Sequence, residues 1–296
     1  MQCSGSQAMK KVLFLITKSL LYLLSLLPIP VLYLLSDVLY FFLYRVFQYR
    51  KKVVYENLQK SFPEKLPEEI HHIARDFYKF LCDQILESVK MLTISEETLK
   101  KHFRINNLDE LNRHFESNKS VLAVTGHYGN WEWGALILSV WAKNPVLIVY
   151  KPISNKLFEG LINKVRSRFN AALVPMKSTL RKITQYKNDP YVAVLVSDQT
   201  PAKSEINYFT KFLNQQTPVF LGVEKLAKMT RDAVVYCHIN RYKRGYYECT
   251  FETLFEDPHL TSEREITECY TRKLEENILK KPELWLWSHR RWKYAV

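Results

Sequence analysis

The sequence predicts an α/β fold in which a central, mixed but mostly parallel sheet is flanked by helices, with N-terminal membrane-anchoring helices in front of it. Two observations lead to this prediction. Apolar runs of strand length alternate with segments of helical periodicity between positions 121 and 196, and an overwhelmingly apolar stretch extends from Val12 to Phe47. Since no internal repeat or low-complexity linker separates further units, we divide the 296 residues into an N-terminal tail and anchor, 1–50, and a single domain, 51–296.

The apolar N-terminal stretch is interrupted at Pro28-Ile29-Pro30, so neither half reaches the ~20 apolar residues of a comfortable transmembrane helix. Basic residues flank it on both sides: Lys10 and Lys11 before it, and Arg45, Arg50, Lys51 and Lys52 after it. Positive charge at both ends favours a cytoplasmic position for both ends. We therefore expect a shallow helical hairpin, or one short span followed by an interfacial helix. Two buried core helices are the alternative.

The rest of the chain alternates between helical and strand patterns. Polar helices are expected over residues 53–118, and Pro67, with an acidic first turn after it, marks the start of one of them. The apolar run Val121–Thr125 is the first long strand. We predict further strands at 145–150, 172–175, 191–196, 234–239 and 246–251, and a final amphipathic helix at 264–280.

The composition restricts the partners of this protein. Lys and Arg number 43 against 30 Asp and Glu, which gives a formal net charge of +13. Such a surface favours an anionic partner, which could be nucleic acid, anionic lipid, a phosphorylated substrate or an acidic protein. The charges are dispersed and no nucleic-acid-binding motif appears, so we expect no nucleic-acid partner. The five cysteines are widely spaced without a C-x2-C pair, which predicts reduced thiols rather than disulfides or a metal site.

A short segment concentrates the glycines. Of seven in the whole chain, three lie at Gly126, Gly129 and Gly134, around one histidine and one glutamate. Glycine is used where the backbone turns sharply or lets another group approach closely. Because ligands collect at the carboxyl ends of strands in such sheets, Gly126-His127 and Ser197-Asp198, which each follow a strand, could face the same crevice.

His127 and Glu132 have the residue types of a general base and its orienter. Five positions on a regular helix separate two side chains by ~140°, so they meet only if His127 lies in the turn and Glu132 in the first helical turn. Imidazole accepts a proton near neutral pH, and a carboxylate on its other nitrogen fixes the tautomer. No nearby serine or cysteine is a candidate nucleophile, so the base would act on a substrate hydroxyl. The alternative is a turn histidine and a glutamate that complements the helix dipole.

This segment resembles the H-x4-D/E motif of the membrane acyltransferases, in particular the bacterial lipid A late acyltransferase (lysophospholipid acyltransferase) family. The similarity continues through Tyr150-Lys151-Pro152, 162–168, Ser197-Asp198-Gln199 and 284–293, so it covers nearly the whole chain in order. The resemblance implies a glycerolphosphate acyltransferase-like fold for 51–296, an acyl carrier protein as donor, and a phosphorylated lipid A precursor as acceptor. It places the protein at the cytoplasmic face of the bacterial inner membrane, and it implies neither a metal nor an organic cofactor.

The resemblance also assigns substrate-binding candidates. Arg166 and Arg168 are two residues apart, so on a helix they point ~200° apart and cannot both line one pocket. The resemblance favours Arg166, which would bind substrate or the oxyanion, and we retain Arg168 as a weaker candidate. It implies a substrate-binding or bracing role for Asp198 and Gln199, although a turn cap is the alternative for Asp198. Asn130 completes the set of substrate-binding candidates.

Two aromatic segments are further candidates. The resemblance suggests that Tyr208–Leu213 lines an acyl pocket, and a structural aromatic cluster is the alternative. Trp287–Lys293 interleaves cations with indoles, a composition that suits a membrane interface or a phosphorylated headgroup. His289, within it, is expected to be structural.

Together these features predict acyl transfer from a thioester to a hydroxyl of a lipid A precursor, with His127 as general base and Glu132 as its orienter. Without a protein nucleophile, the acceptor would attack the donor directly. Another acceptor, such as a lysophospholipid, an aminoacyl lipid or another glycolipid, is the first alternative. A non-catalytic protein that binds anionic lipid or nucleic acid is a remote one. A zinc hydrolase is disfavoured, because H-x4-E lacks the i, i+4 histidine pair that holds zinc on a helix.

Overall fold

The computed structural model describes residues 2–186 and 189–294, with side chains from Ala8 onward. Its first part contains, in chain order, helices α1 (Gln2–Leu26), α2 (Ile29–Tyr40), α3 (Lys51–Ser61), α4 (Pro67–Lys90) and α5 (Glu96–His102), strand β1 (Phe103–Ile105), helix α6 (Asp109–Glu116), strand β2 (Val121–Thr125), helix α7 (Trp131–Trp141) and strand β3 (Val146–Tyr150). Its second part contains helix α8 (Lys156–Arg166), strand β4 (Ala172–Pro175), helix α9 (Thr179–Ile183), strands β5 (Val192–Val196), β6 (Phe209–Phe212) and β7 (Gln215–Pro218), helix α10 (Gly222–Thr230), strands β8 (Ala233–Lys243) and β9 (Tyr246–Phe255), and helix α11 (Glu265–Lys280).

Seven strands form one sheet in the order β1-β9-β8-β2-β5-β3-β4, in which every neighbouring pair is parallel except the β8–β9 hairpin. The predicted α/β class with a mixed, mostly parallel sheet is therefore confirmed. Strand β2 lies between β8 and β5, and all five of its residues are buried, as expected for a strand covered on both faces. This central position carries the segment that follows β2 to the middle of one sheet edge.

Helices cover both faces of the sheet. On β8, Tyr236 lines a cavity together with Leu274 of α11, whereas its neighbour Cys237 lines another cavity together with Ile137 of α7. Because successive residues of a strand point to opposite faces, α11 and α7 lie on opposite faces of the sheet. The described cysteines (Cys82, Cys237, Cys249 and Cys269) are free thiols, as predicted, and the Cys3 side chain lies outside the described residues.

The second, two-stranded sheet is a hairpin of β6 and β7 that the sequence pattern did not predict. Its two turn residues, Leu213 and Asn214, have φ angles of 47° and 62°. Tight hairpin turns of this kind need positive φ at both positions, and leucine is an unusual choice there. The backbone N–H of Leu213 donates to the Glu275 carboxylate of α11, so a tertiary contact holds the turn.

The N-terminal helices are interrupted where the prolines predict. Helix α1 ends at Leu26 and α2 begins at Ile29. With the π-helical turn Phe41–Val46 that extends it, α2 forms an 18-residue apolar segment of mean hydropathy 1.5, of which 22% is buried, and which is long enough to cross a membrane. Length and composition do not distinguish a membrane span from a core helix or a signal sequence. The anchor and the division between 1–50 and 51–296 therefore stay predictions.

Helix α2 has two different faces. Leu32 and Ser36 are buried, and α2 packs against α4, whereas Leu34 and Val38 are exposed. Helix α4 begins at Pro67, as predicted, where the Glu69 carboxylate accepts a hydrogen bond of 2.9 Å from the backbone N–H of Leu66. Helix α4 packs against α2, and its residue Glu87 accepts a hydrogen bond from Tyr247 of β9. Helix α4 therefore connects the N-terminal helices to the sheet domain.

Candidate active site

The turn after β2 is built around glycines. Gly129 has a φ of +60°, and a Cβ atom at this position would lie 2.7 Å from Cγ2 of Ile239. A Cβ at Gly126 would lie 2.7 Å from Leu274 and 3.2 Å from Oδ2 of Asp198. The two glycines therefore allow the turn Gly126–Asn130 to lie directly against the sheet and against Asp198.

Asn130 ends this turn as the N-cap of α7. Its Oδ1 accepts a hydrogen bond of 2.9 Å from the backbone N–H of Trp133, and its Nδ2 donates to Oε2 of Glu87 at 2.7 Å. The side chain is 1% exposed. These contacts do not support a substrate-binding role for Asn130, because both ends of its amide are occupied and buried.

His127 is held by Asp198 through two contacts. Nδ1 of the ring lies 2.5 Å from Oδ1 of Asp198, and the backbone N–H of His127 donates to Oδ2 at 2.9 Å. The sheet explains the meeting: β2 and β5 are parallel neighbours with Thr125 opposite Val196, so the residues that follow them lie at the same edge. The predicted common crevice for His127 and Asp198 is confirmed.

The Asp198 carboxylate is ionised in spite of its burial. Burial alone would raise its pKa, but the adjacent His127 ring and the hydrogen bonds from His127 and Trp285 hold the pKa well below its ordinary value. The Trp285 indole N–H donates to Oδ2 at 2.7 Å. Because an ionised carboxylate only accepts hydrogen bonds, Nδ1 of His127 donates to it, and in the neutral form of the ring the lone pair is therefore on Nε2.

Glu132 does not orient His127, and this part of our prediction is wrong. Its carboxylate instead forms a two-point ion pair with Arg166, in which Nε donates to Oε2 at 2.9 Å and Nη2 donates to Oε1. Glu132 lies in the first turn of α7, where its side chain points towards the end of α8 rather than back to the turn. Burial opposes the charge of Arg166, but the hydrogen bonds and charge of Glu132 outweigh it and raise the pKa of Arg166.

Arg168 lies apart from this ion pair. Its guanidinium donates to the backbone oxygens of Met91 and Ile94, just beyond the end of α4. The expectation that Arg166 and Arg168 cannot share one pocket is confirmed. A substrate-binding role for Arg168 is not supported by these contacts, since the side chain fastens one chain segment to another.

The free nitrogen of His127 is accessible from one side. The Gln199 amide lies with Nε2 at 3.1 Å from Nε2 of His127, and it donates there because that nitrogen carries the lone pair. The Trp131 ring packs edge-on against the imidazole, with ring centroids 4.8 Å apart. The His127 side chain is 16% exposed, so a small polar group that displaced Gln199 could reach Nε2.

The C-terminal segment packs against the turn that carries His127. The sequence analysis did not predict this contact. Tyr128 forms a β-bridge with Trp285, and the backbone N–H of Leu286 donates to the His127 carbonyl at 3.2 Å. Trp287 is fully buried and Arg291 is 2% exposed, so the prediction that this segment faces a membrane or a headgroup is wrong for these two residues. The alternation Trp285-Leu286-Trp287 was the available signal, because a half-buried extended segment has this period.

Two clefts on opposite faces of the sheet are lined by residues that contact His127, namely Asp198 in one and Trp131 in the other. One contains Asp198, Tyr236, Phe212 and Arg291. The other has an internal volume of about 20 Å³ and is bounded almost entirely by apolar side chains, which include Trp131, Ile137, Leu138, Val194, Ile239 and Phe251. Of the aromatic segment Tyr208–Leu213, Phe212 lines the first cleft and no residue lines the second, so the predicted acyl-pocket segment is not part of the apolar cleft.

The arrangement combines an imidazole, a buried carboxylate that would stabilise the imidazolium, and a nearby apolar cleft. Such a site can remove a proton from a hydroxyl group next to a long apolar chain. Within residues 2–186 and 189–294, no three His, Cys, Asp or Glu side chains lie close enough together to hold a metal ion.

Comparisons with known proteins give matches over most of the chain. The family model of the bacterial lipid A biosynthesis acyltransferases matches residues 6–294. The chain is similar to the lipid A biosynthesis palmitoleoyltransferase of Escherichia coli (strain K12), with 23% identity over 244 residues, which is 82% of this chain and 79% of the relative. It is also similar to the lipid A biosynthesis lauroyltransferase of the same organism, with 24% identity over 277 residues, 92% of this chain and 89% of the relative.

Proposed function

Because the chain belongs to the bacterial lipid A biosynthesis acyltransferase family, we propose that it moves a fatty acyl chain from an acyl thioester, carried by acyl carrier protein, to a hydroxyl of a lipid A precursor. The observation that carries this proposal is the hydrogen bond from His127 to Asp198, which leaves the lone pair on Nε2 of the imidazole. The Trp131 ring, which packs against the imidazole, also lines the apolar cleft.

In the proposed reaction, Nε2 of His127 takes the proton of the acceptor hydroxyl while the oxygen attacks the thioester carbonyl carbon. Asp198 holds the ring and stabilises the imidazolium that forms. The tetrahedral intermediate then collapses, the carbon–sulfur bond breaks, and the leaving thiolate takes the proton from the imidazolium. In the described part of the chain no serine or cysteine is hydrogen bonded to His127, which favours this direct transfer over an acyl-enzyme.

Arg166 is the proposed electrophilic group. Two of its N–H groups are directed to Glu132, and a guanidinium carries five, so donors remain for a carbonyl oxygen or a phosphate. The ion pair fixes the direction of the planar group, which a flexible arginine alone would not achieve. We therefore assign Glu132 to the positioning of Arg166.

The apolar cleft is the proposed site of the acyl chain. Its lining is almost entirely apolar, and with an internal volume of about 20 Å³ its walls would move apart to admit an acyl chain. Its position next to Trp131 would place the first carbons of the chain beside the imidazole. Two features support donor and membrane partners: a net charge of +13, which suits the acidic acyl carrier protein and anionic lipid, and the exposed apolar face of α2. We propose the cytoplasmic face of the inner membrane as its location.

The test is acyl transfer by the full chain in detergent, with acyl–acyl carrier protein and a purified lipid A precursor. We expect no measurable product from His127→Ala and normal product from His259→Ala, an exposed histidine outside the site. Undiminished transfer by His127→Ala would remove the assigned base. Lipid profiling of a deletion strain identifies the acceptor, since the lipid that loses one acyl chain is the natural product.

A further inference from the structure

Glu87 on α4 is a buried carboxylate that the proposed reaction does not use. It is 2% exposed, and no lysine or arginine of the described chain forms an ion pair with it. Three neutral donors surround it instead. The Tyr33 hydroxyl donates to Oε1 at 2.7 Å, and Asn130 Nδ2 and the Tyr247 hydroxyl donate to Oε2 at 2.7 and 2.8 Å.

These donors come from three separate parts of the fold. Tyr33 belongs to α2, the apolar N-terminal helix, Tyr247 belongs to β9, and Asn130 ends the turn that carries His127. One helical turn before Glu87, the Gln84 amide donates to the Gly129 carbonyl at 3.0 Å. Helix α4 therefore holds the last two residues of the turn through two of its own side chains.

The same helix also holds α2. Asp83 is 2% exposed. It accepts a hydrogen bond of 2.7 Å from Ser36 and forms a salt bridge with Arg244. Arg244 in turn pairs with Asp37 of α2 at 2.7 Å. Helix α2 is thus attached to α4 at Tyr33, Ser36 and Asp37, and its attachment at Tyr33 shares the Glu87 carboxylate with the catalytic turn.

Such a network is expensive for stability alone. Taking a carboxylate out of water without a cation costs several kcal/mol, of which three neutral hydrogen bonds return a part. Burial raises the pKa of Glu87 to about 7, which records this cost. An apolar side chain would fill the same space at a lower free-energy cost. The Glu87 carboxylate is therefore explained better by the segments that its hydrogen bonds hold in place.

We propose that Glu87 is a positioning residue for the reaction and that it fixes the His127–Asn130 turn. Because Tyr33 of α2 donates to the same carboxylate, the turn is ordered only when helix α2 is docked against α4. The kinetic part of this inference rests on the proposed acyl transfer, and the coupling of α2 to the turn does not. The N-terminal apolar helix would then contribute to the geometry of the site as well as to attachment.

The experiment compares two Tyr→Phe variants of the full chain in lipid nanodiscs. Tyr33→Phe removes one hydrogen bond to Glu87. Tyr191→Phe removes an equivalent buried hydrogen bond, from Tyr191 to Asp232, which the site does not include. Amide hydrogen exchange of the segment 126–134 is measured by mass spectrometry, together with kcat and KM. We expect faster exchange in 126–134 and a roughly 10-fold lower kcat with unchanged KM for Tyr33→Phe, and neither change for Tyr191→Phe.

A third variant, Glu87→Gln, separates positioning from folding. Its amide oxygen can accept from Asn130 and Tyr247 while its NH₂ donates to Tyr33, so we expect exchange and kcat close to those of the unmodified protein. Unchanged exchange at 126–134 in Tyr33→Phe, or equal changes in Tyr33→Phe and Tyr191→Phe, would overturn the coupling. Faster exchange with unchanged kcat would overturn the positioning role. If the unmodified protein transfers no acyl chain, the proposed function fails while the exchange data still decide the coupling.

Discussion

Asp198 holds His127 at two points, by Oδ1 at 2.5 Å from the ring Nδ1 and by Oδ2 at 2.9 Å from the backbone N–H. The second contact fixes the peptide, and the first fixes the ring relative to it. The Trp285 indole N–H also donates to the Asp198 carboxylate, so three hydrogen bonds fix the orientation of this side chain. A base held in this way is ready to accept a proton without reorganisation of its surroundings.

The first prediction concerns this pair. Asp198→Asn keeps the size of the side chain but removes the charge that stabilises the imidazolium, so we expect kcat to fall roughly 10³- to 10⁴-fold. Steady-state kinetics with saturating donor measure the change. Asp232→Asn, at a buried carboxylate that precedes β8 at the opposite end of the sheet, controls for a carboxylate–amide exchange as such. A loss below about tenfold would show that the ring needs no carboxylate.

The second prediction concerns Glu132 and Arg166. Because the two side chains act as one ion pair, the effects of Glu132→Gln and Arg166→Gln on kcat should not add. We expect the double variant to be no slower than Arg166→Gln alone. A double-mutant cycle on kcat measures the coupling. Additive losses would contradict the proposal that Glu132 positions Arg166, and would mean that Glu132 acts independently of Arg166.

Much of this site follows from local pattern and from the order of strands. The apolar runs located β2 and β5, and the tendency of parallel strand ends to share an edge was enough to place His127 and Asp198 in one crevice from the sequence alone. Pro28 and Pro67 marked helix boundaries correctly because proline acts on its own backbone.

The errors concern side chains whose partners lie on distant segments. Glu132 was close enough in sequence to reach His127, but the packing of α8 on α7 brought Arg166 to it instead. We predicted an interfacial position for Trp287 and Arg291 from the cations and indoles of their segment. Composition alone does not show that this segment packs across the catalytic turn. Glu87 had no local signal at all, since its three donors are 54, 43 and 160 positions away.

The third prediction concerns the length of the acyl chain. Gly134 lines the apolar cleft, and a Cβ there would already lie 3.2 Å from Cδ1 of Ile239. Gly134→Leu should therefore shorten the cleft and shift the preference towards shorter acyl chains, by roughly 10-fold in the ratio of kcat/KM for two donors that differ by several methylenes. Competition between two acyl donors measures this ratio.

Gly160→Leu is the matched control for the acyl-chain prediction. Gly160 lies on the neighbouring helix α8, and a Cβ atom there would meet open space, with no neighbour within 4 Å. The substitution therefore adds the same side chain without filling the cleft. An equal shift in both variants, or none in Gly134→Leu, would show that the acyl chain binds elsewhere.

The last prediction uses the buried carboxylate of Glu87. Burial raises its pKa from 4.5 to about 7 in the folded protein. Between these values the folded state keeps a proton that the unfolded chain has released, so the stability that this group contributes is complete below about pH 4.5 and is lost as the pH rises through 7. Glu87→Gln does not titrate. We therefore expect its melting temperature to rise relative to the unmodified protein by roughly 5 °C between pH 5 and 8.

The other ionisable groups around Glu87 are Tyr33 on α2, Asp83 on α4 and Tyr247 on β9, and they are the same in both proteins, so they cancel in the difference. A difference between Glu87→Gln and the unmodified protein that stays constant from pH 5 to 8 would mean that Glu87 stays ionised throughout this range.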